Sequence, residues 1–337
     1  MGPMPKKKSL TLQRVLVLLL AYIMLAVCGG VAASVLFVPG VVGANKAAKA
    51  VIPSLKVENV DFDVTSLPQK STMYARDGST FIATFYNQNR IVVPLKKISK
   101  TMQQAVVARE DRRFWTHAGV DVQGVMRAFV QTYLVKGSQQ GGSSLTQQYV
   151  KNVLLMQAIE DDDSIAQYHA TEDTIARKIR EMLISVQMEK KYSKAEILQG
   201  YLNIAQFGNN LYGVETAAQR YFSVSAADLN VVQSATIAAI TKNPSLYDPL
   251  VEENQKESEN QRNIVLKLML QEGYITQKQY TEAVNTPLKD TLKAQDVNVG
   301  CQDTGDYAYF CDFVVHRIQN SEEFGKTRAE RNKLLQE

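Results

Sequence analysis

This 337-residue sequence has few cysteines, few histidines and no large excess of either charge. Three cysteines and three histidines, widely scattered, leave little room for a dense metal cluster or a disulfide-stapled mini-protein. Lys and Arg total 38 against 34 Asp and Glu, and the resulting charge of +4 is too even for a protein that coats nucleic acid. The hydrophobic fraction of 45% can bury a core, which excludes global disorder.

One segment near the N-terminus carries no charge from Val15 to Asn45, and its apolar part is residues 15–38. As a helix rising about 1.5 Å per residue, that part exceeds the hydrocarbon core of a bilayer, about 30 Å thick. The preceding residues are the more densely basic flank, so the positive-inside rule predicts a single-pass anchor with a cytoplasmic N-terminus. The alternatives are a cleaved signal peptide and a lipoprotein cleavage box at Cys28, which Val27 fits poorly.

The remaining chain changes from β-type to helical patterning. Residues 57–97 are rich in β-formers, with the turn dipeptide Asp77-Gly78 and a further strand expected over Arg90–Pro94. From Ser99 onward, apolar residues recur every three to four positions, which predicts a mainly α-helical domain. The predicted layout is a cytoplasmic stub (1–14), the anchor (15–38), a linker with a short β segment (39–97), the helical domain (98–250) and a helical linker (251–337).

The first chemically suggestive segment closes a predicted helix with two carboxylates, Glu110 and Asp111. Phe114, His117 and a glycine follow within nine residues. Taken alone, carboxylates at a helix end are usually solvated, and a lone histidine more often makes a structural hydrogen bond than binds a ligand.

The second segment places Gly141 and Gly142 before a serine N-cap and a helix. Free backbone N–H groups at such a start favour an anion, and Gln148 and Lys151 are spaced to share one helical face. A phosphate-bearing ligand fits this arrangement, although the spacing is not that of a Walker loop. The alternative is an ordinary capped helix.

The third segment contains Arg177 and Glu181, four residues apart on one predicted helical face. By itself this is most often a surface ion pair of small energetic value. In a polar cleft, the same pair would supply a cation for phosphate and a second carboxylate.

Together, in this order and spacing, the three segments closely resemble the peptidoglycan glycosyltransferases of family 51, the polymerase module of class A penicillin-binding proteins. The resemblance covers Ile98–Leu250 and includes two further motifs, YGVETAAQRYF and KNPSLYDPL. It departs at Ser144, where Thr is common, and at Ser223, where Gly is usual. It implies a mainly α, two-lobed lysozyme-like domain with a small β-containing pedestal and one N-terminal transmembrane helix.

The resemblance also implies the reaction. Such enzymes polymerise lipid II into β-1,4-linked glycan at the outer face of the membrane, with inversion and release of undecaprenyl diphosphate. An attacking hydroxyl needs a base, and Glu110 matches it; Glu181 matches the second family carboxylate. The positions that match substrate binding are Asp111, Phe114, His117, Ser143, Gln148, Lys151, Asn152 and Arg177.

The same resemblance bears on cofactors and partners. It implies no covalent cofactor, and a divalent cation (Mg²⁺ or Mn²⁺) near the diphosphate is a candidate, with Glu181 as a candidate ligand. The expected partners are lipid II, the growing glycan strand, the membrane and cell-wall synthesis proteins, but no nucleic acid. The alternatives are a membrane-anchored muramidase, which also uses paired carboxylates, and a non-catalytic cell-wall scaffold. Cationic helix faces at Lys151 and Arg177 argue against the muramidase, because neutral glycan does not need them.

The C-terminal part is expected to lead towards a transpeptidase that the chain does not contain. Residues 251–284 resemble the linker of bifunctional proteins, and residues 301–318 resemble an actinobacterial junction. Neither Ser-x-x-Lys nor Lys-Thr-Gly occurs in the sequence, so the acyl-enzyme chemistry of that domain is not expected. Cys301 and Cys311 are expected to form a disulfide if this part is extracellular, and to be two free thiols if it is not.

Overall fold

The computed structural model describes residues 67–129, 142–295, 299–302 and 304–336. The chain divides into two compact units, Met1–Glu58 and Asn59–Glu337, and all described residues belong to the second. The predicted anchor, residues 15–38, lies outside the described residues. Within the described ranges, no helix combines the length and apolar character needed to cross a membrane.

The described chain is mainly helical with two small sheets, which confirms the fold class predicted from the periodicity. The strands are β1 (Ser71–Tyr74), β2 (Phe81–Phe85), β3 (Asn89–Arg90), β4 (Gln206–Gly208) and β5 (Leu211–Tyr212). The helices are α1 (Lys100–Glu110), α2 (Val122–Phe129), α3 (Leu145–Glu160), α4 (Ser164–Thr171), α5 (Ile175–Lys191), α6 (Lys194–Ile204), α7 (Val214–Phe222), α8 (Val231–Ile240), α9 (Gln255–Gln271), α10 (Gln277–Val284), α11 (Leu288–Thr291), α12 (Ala308–Asn320) and α13 (Arg328–Gln336).

Side-chain caps set the starts of the helices that carry the motifs. The Ser99 hydroxyl accepts a hydrogen bond from the Met102 backbone N–H at the start of α1. Helix α3 follows a capping box between Ser144 and Gln147, and α6 follows a capping box between Ser193 and Glu196. Each cap satisfies backbone N–H groups that a helix start leaves free, and such a cap typically contributes about 1 kcal/mol.

One continuous hydrophobic core joins the motif helices. Helix α1 packs against α8 and α9, and α3 packs against α4, α5 and α6. Met102, Val106, Leu198, Ile237 and Leu266 are fully buried in this core. Burying each such side chain contributes about 1.5–3 kcal/mol, so the core holds the helix ends that carry polar side chains in fixed positions.

Gly119 lets the loop after α1 lie directly against α5. Its φ is +87°, and a Cβ atom there would come within 2.7 Å of the Ser185 backbone carbonyl. Both the left-handed backbone and the close approach require glycine. This contact brings the loop that follows Glu110 against the helix that carries Glu181.

The two small sheets differ from the sequence expectation at one point. Strands β1 and β2 form the antiparallel hairpin predicted around Asp77-Gly78. The strand expected over Arg90–Pro94 is shorter: β3 ends at Arg90 and pairs in parallel with β5. The next backbone N–H groups bond to side chains instead, Ile91 to Thr216 and Val93 to Asn203, and Pro94 has no N–H. These long-range acceptors replace the partner strand.

Near the C-terminus, a disulfide joins Cys301 and Cys311, whose Cα atoms are 5.4 Å apart. Cys311 lies on α12 and is fully buried with Ile82 and Ala83 of β2. The disulfide and this small cluster attach α12 to the hairpin.

Candidate active site

Glu110, the last residue of α1, is held by neutral hydrogen-bond donors. The Gln148 amide donates to Oε2 and the Thr241 hydroxyl donates to Oε1, each at 2.8 Å. Both carboxylate oxygens are therefore oriented, but no ion pair with a described cation neutralises the charge. A half-buried carboxylate in these surroundings is fixed in place and remains able to accept a proton.

Tyr201 on α6 holds the Gln148 side chain in the orientation that reaches Glu110. Its hydroxyl donates to Gln148 Oε1 at 3.3 Å, which turns the amide nitrogen towards Glu110. Burial, together with the nearby Glu110 charge, raises the pKa of Tyr201 well above its ordinary value. The phenol therefore stays protonated and remains a donor near neutral pH.

Asp111 faces a different set of partners from its neighbour. Its Oδ2 accepts hydrogen bonds from the Leu145 backbone N–H at 2.9 Å and from His117 Nε2 at 2.8 Å. Leu145 is the first residue of α3, so a carboxylate sits at the positive end of that helix dipole. Among the described residues, the buried Oδ1 has no hydrogen-bond partner. Asp111 thus ties the first motif to the start of the second.

Phe114 lies inside the core rather than on an open surface. It is fully buried, its ring packs edge-on against Trp115 and His117, and Lys194 Nζ lies 4.6 Å from the ring centroid. In this structure Phe114 shapes the loop and offers no accessible face to a ligand.

Helix α3 carries the predicted residues of the second motif towards two different carboxylates. Ser143 is exposed just before the N-cap, whereas Gln148, Lys151 and Asn152 are half-buried on the helix. Gln148 bonds to Glu110, and the positive charge of Lys151 acts on Glu181. The shared face predicted from the spacing of Gln148 and Lys151 therefore connects the two sites.

Arg177 and Glu181 form a buried ion pair on α5. Arg177 also donates to the Glu172 backbone carbonyl, and the Asp173 carboxylate lies 3.8 Å from its guanidinium. Burial raises the pKa of Glu181, and the charges of Arg177, Lys151 and Lys178 offset part of that rise. In contrast to Glu110, this carboxylate lies in a cationic environment suited to a phosphate group.

The structure also contributes residues that motif reasoning did not single out. Thr241 follows α8 immediately before the KNPSLYDPL segment, and Tyr201 lies on α6. The sequence signal for both residues is a polar group in or next to an apolar helix. Their hydrogen-bond partners, Glu110 for Thr241 and Gln148 for Tyr201, lie far away along the chain. The contact between Thr241 and Glu110 spans 131 positions, which helical periodicity does not encode.

No metal centre is arranged among these side chains. Across residues 67–129, 142–295, 299–302 and 304–336, no three His, Cys, Asp or Glu residues are grouped to hold an ion. Glu181 is paired with Arg177, so it could bind a metal ion only after that ion pair is broken. The divalent cation stays a prediction.

Comparison with known proteins places these residues in context. The model of the transglycosylase family matches residues 78–270. Penicillin-binding protein 4 of Bacillus subtilis is 37% identical over 272 residues, covering 80% of this chain and 40% of its own length. Penicillin-binding protein 1A of Aquifex aeolicus is 39% identical over 229 residues, covering 68% and 29%. The chain spans less than half the length of these relatives.

Among solved structures, the crystal structure of penicillin-binding protein 1A from Haemophilus influenzae aligns with 78% of this chain and 26% of its own. The sequence identity is 24% and the TM-score is 0.41.

Proposed function

The chain belongs to the transglycosylase family, and from that premise we propose that it is a peptidoglycan glycosyltransferase that polymerises lipid II. The observation that carries the proposal is the separation of two carboxylates. Glu110 is oriented by the neutral donors Gln148 and Thr241, whereas Glu181 is paired with Arg177 and its pKa is also influenced by the charge of Lys151. One site suits proton removal and the other suits an anionic leaving group.

In the proposed reaction, Glu110 removes the proton of the acceptor sugar's 4-hydroxyl as its oxygen bonds to the donor's anomeric carbon. The bond from that carbon to the diphosphate oxygen breaks, and the electron pair leaves with undecaprenyl diphosphate. Attack opposite the leaving group inverts the anomeric centre. A positioned carboxylate base contributes about 10²–10⁴-fold to such a step.

The leaving diphosphate is already a weak base, so it needs its charge stabilised more than it needs a proton. Lys151 and Arg177 supply that charge, and the planar guanidinium matches phosphate oxygens. We further propose that binding of the diphosphate draws Arg177 away from Glu181. The Glu181 carboxylate released in this way would be a ligand for Mg²⁺ or Mn²⁺, and that ion would add further positive charge to stabilise the diphosphate.

The finer architecture and location are proposals of the same kind. A two-lobed, lysozyme-like arrangement and a single-pass anchor at residues 15–38, with the catalytic domain outside the cytoplasmic membrane, fit a lipid-linked substrate. Tethering the domain to that surface raises its effective concentration at the substrate. Cell-wall synthesis proteins are the expected partners there.

The test is incubation of the detergent-solubilised full chain with labelled lipid II. We expect glycan ladders from the wild type and none from Glu110→Gln, because the amide cannot accept the proton. Absence of polymer from the wild type under every detergent and metal condition would contradict the proposal. Shortening of pre-made glycan would identify a muramidase instead.

A further inference from the structure

A buried charged network connects the loop after α1 to the junction between α5 and α6. Glu189, near the end of α5, accepts hydrogen bonds from Lys194 at 2.7 Å and from the Thr146 hydroxyl at 2.6 Å. Lys194, the first residue of α6, also lies 3.4 Å from His117 Nδ1. The Glu189 and His117 side chains are only 7% and 8% exposed, so water screens these charges weakly.

The contacts of the two ring nitrogens indicate where His117 carries its hydrogen. A lysine ammonium only donates, so Nδ1 must present its lone pair to Lys194. Nε2 then bears the hydrogen and donates it to Asp111 at 2.8 Å. These two contacts fit an imidazole that carries its hydrogen on Nε2 and has a separate partner on each nitrogen.

The Lys194 ammonium contacts both the His117 imidazole and a second carboxylate, that of Glu189. Glu189 Oε1 lies 3.9 Å from Nδ1, with the ammonium bonded to both groups. The uncharged Phe114 ring also packs against the imidazole. Without Lys194, His117 would stand between Asp111 and Glu189, and an imidazolium bridging two carboxylates would be favoured.

The network reaches Glu110 through the start of α3. Asp111 accepts both from His117 and from the Leu145 N–H, and three residues later on that helix Gln148 donates to Glu110. Hydrogen bonds in such a buried chain polarise one another, so a change at one end alters the others. The Asp111 carboxylate is thus the point at which the network meets the site.

We infer that Lys194 is a positioning residue for the glycosyltransferase site: it keeps His117 neutral, so that no imidazolium charge draws Asp111 away from the Leu145 N–H, and Gln148 stays on Glu110. The kinetic part of this inference rests on the proposed function. The protonation state of His117 does not, and it can be measured without substrate.

The first measurement is the ¹⁵N spectrum of the histidine rings in the detergent-solubilised full chain. We expect wild-type His117 to show one protonated nitrogen, Nε2, at neutral pH, and Lys194→Met to show both nitrogens protonated. His169 and His316, which are exposed, serve as references, and Lys190→Met on the surface of α5 should leave the His117 signals unchanged. Two protonated nitrogens in the wild type, or no change in Lys194→Met, would overturn the inference.

The second measurement is steady-state polymerisation by the same variants. Lys194→Met should lower kcat about tenfold with the donor KM within about twofold of the wild type. Lys194→Arg, which can still donate to Glu189 and to His117, should recover most of kcat and the neutral His117 spectrum. An unchanged kcat in Lys194→Met alongside an active wild type refutes the positioning role. An inactive wild type with the expected spectra refutes the proposed function alone.

Discussion

The surroundings of Glu110 and those of Glu181 differ in the kind of group that faces each carboxylate. An amide and a hydroxyl hold Glu110, whereas an arginine and a lysine act on Glu181, which is also more deeply buried. Neutral donors orient a carboxylate and leave it able to accept a proton. A neighbouring cation instead stabilises the ionised carboxylate, or binds a second anion such as a phosphate. The difference teaches that two acidic residues in one enzyme domain need not share one role.

The largest effect should come from removing the base. Glu110→Gln keeps the shape and one acceptor oxygen but cannot take a proton, so kcat should fall by about 10²–10⁴-fold. The donor KM should change little, because we assign the diphosphate to Arg177 and Lys151. Initial-rate kinetics with lipid II measure both quantities, and a variant that loses donor affinity instead would place Glu110 with the binding groups.

The second effect should come from the cationic side of the comparison. Arg177→Gln removes the guanidinium that we assign to the diphosphate, and we expect the donor KM to rise about tenfold or more. Lys178→Gln on the exposed face of α5 is the matched control and should alter KM less than about twofold. Equal effects of the two changes would mean that only general charge attraction matters.

A smaller effect should come from releasing one donor to Glu110. Gln148→Leu removes its hydrogen bond to Oε2 but leaves Thr241 on Oε1. We expect about a tenfold loss of kcat, the factor that corresponds to about 1.4 kcal/mol of lost positioning. Tyr201→Phe, which removes only the support behind Gln148, should lose less. A loss as large as that of Glu110→Gln would show that Gln148 acts directly on substrate.

The smallest effect is one of stability with pH. Burial raises the pKa of Glu181, so the folded state binds more protons than the unfolded state above the ordinary value of 4.5. The free energy of unfolding should therefore fall as pH rises from that value through the raised pKa. In Glu181→Gln this decline should be smaller.

Glu257→Gln serves as the control for that measurement. Hydrogen bonds from Gln261 and Asn260 lower the pKa of Glu257, so its contribution is lost as pH falls. Denaturant titrations of the wild type and both variants across this range give the sign for each carboxylate. A wild type that gains stability relative to Glu181→Gln as pH rises would contradict the assignment.

Local features of this fold were predictable because local interactions produce them. The capping box at Ser193, the Asp77-Gly78 hairpin and the shared face of Gln148 and Lys151 each depend on residues within four positions. The departure at Ser223 is local as well. The residue adopts φ 54° and ψ 36°, the left-handed region that favours glycine, at the end of α7.

The remainder depends on contacts between distant segments. The bond from Thr241 to Glu110, the side-chain acceptors that replace a strand after Arg90, and the link from Lys194 to His117 all require the packed core. Motif order indicated which segments belong to the site. The structure was needed to show that Gln148 donates to Glu110, while the charge of Lys151 acts on Glu181.

The most direct test of the two-carboxylate account is equilibrium binding of undecaprenyl diphosphate to the detergent-solubilised wild type, Glu110→Gln and Arg177→Gln. The account predicts that Glu110→Gln binds within about twofold of the wild type, while Arg177→Gln loses about tenfold or more, a change of about 1.4 kcal/mol. Loss of binding in Glu110→Gln with retention in Arg177→Gln would contradict it.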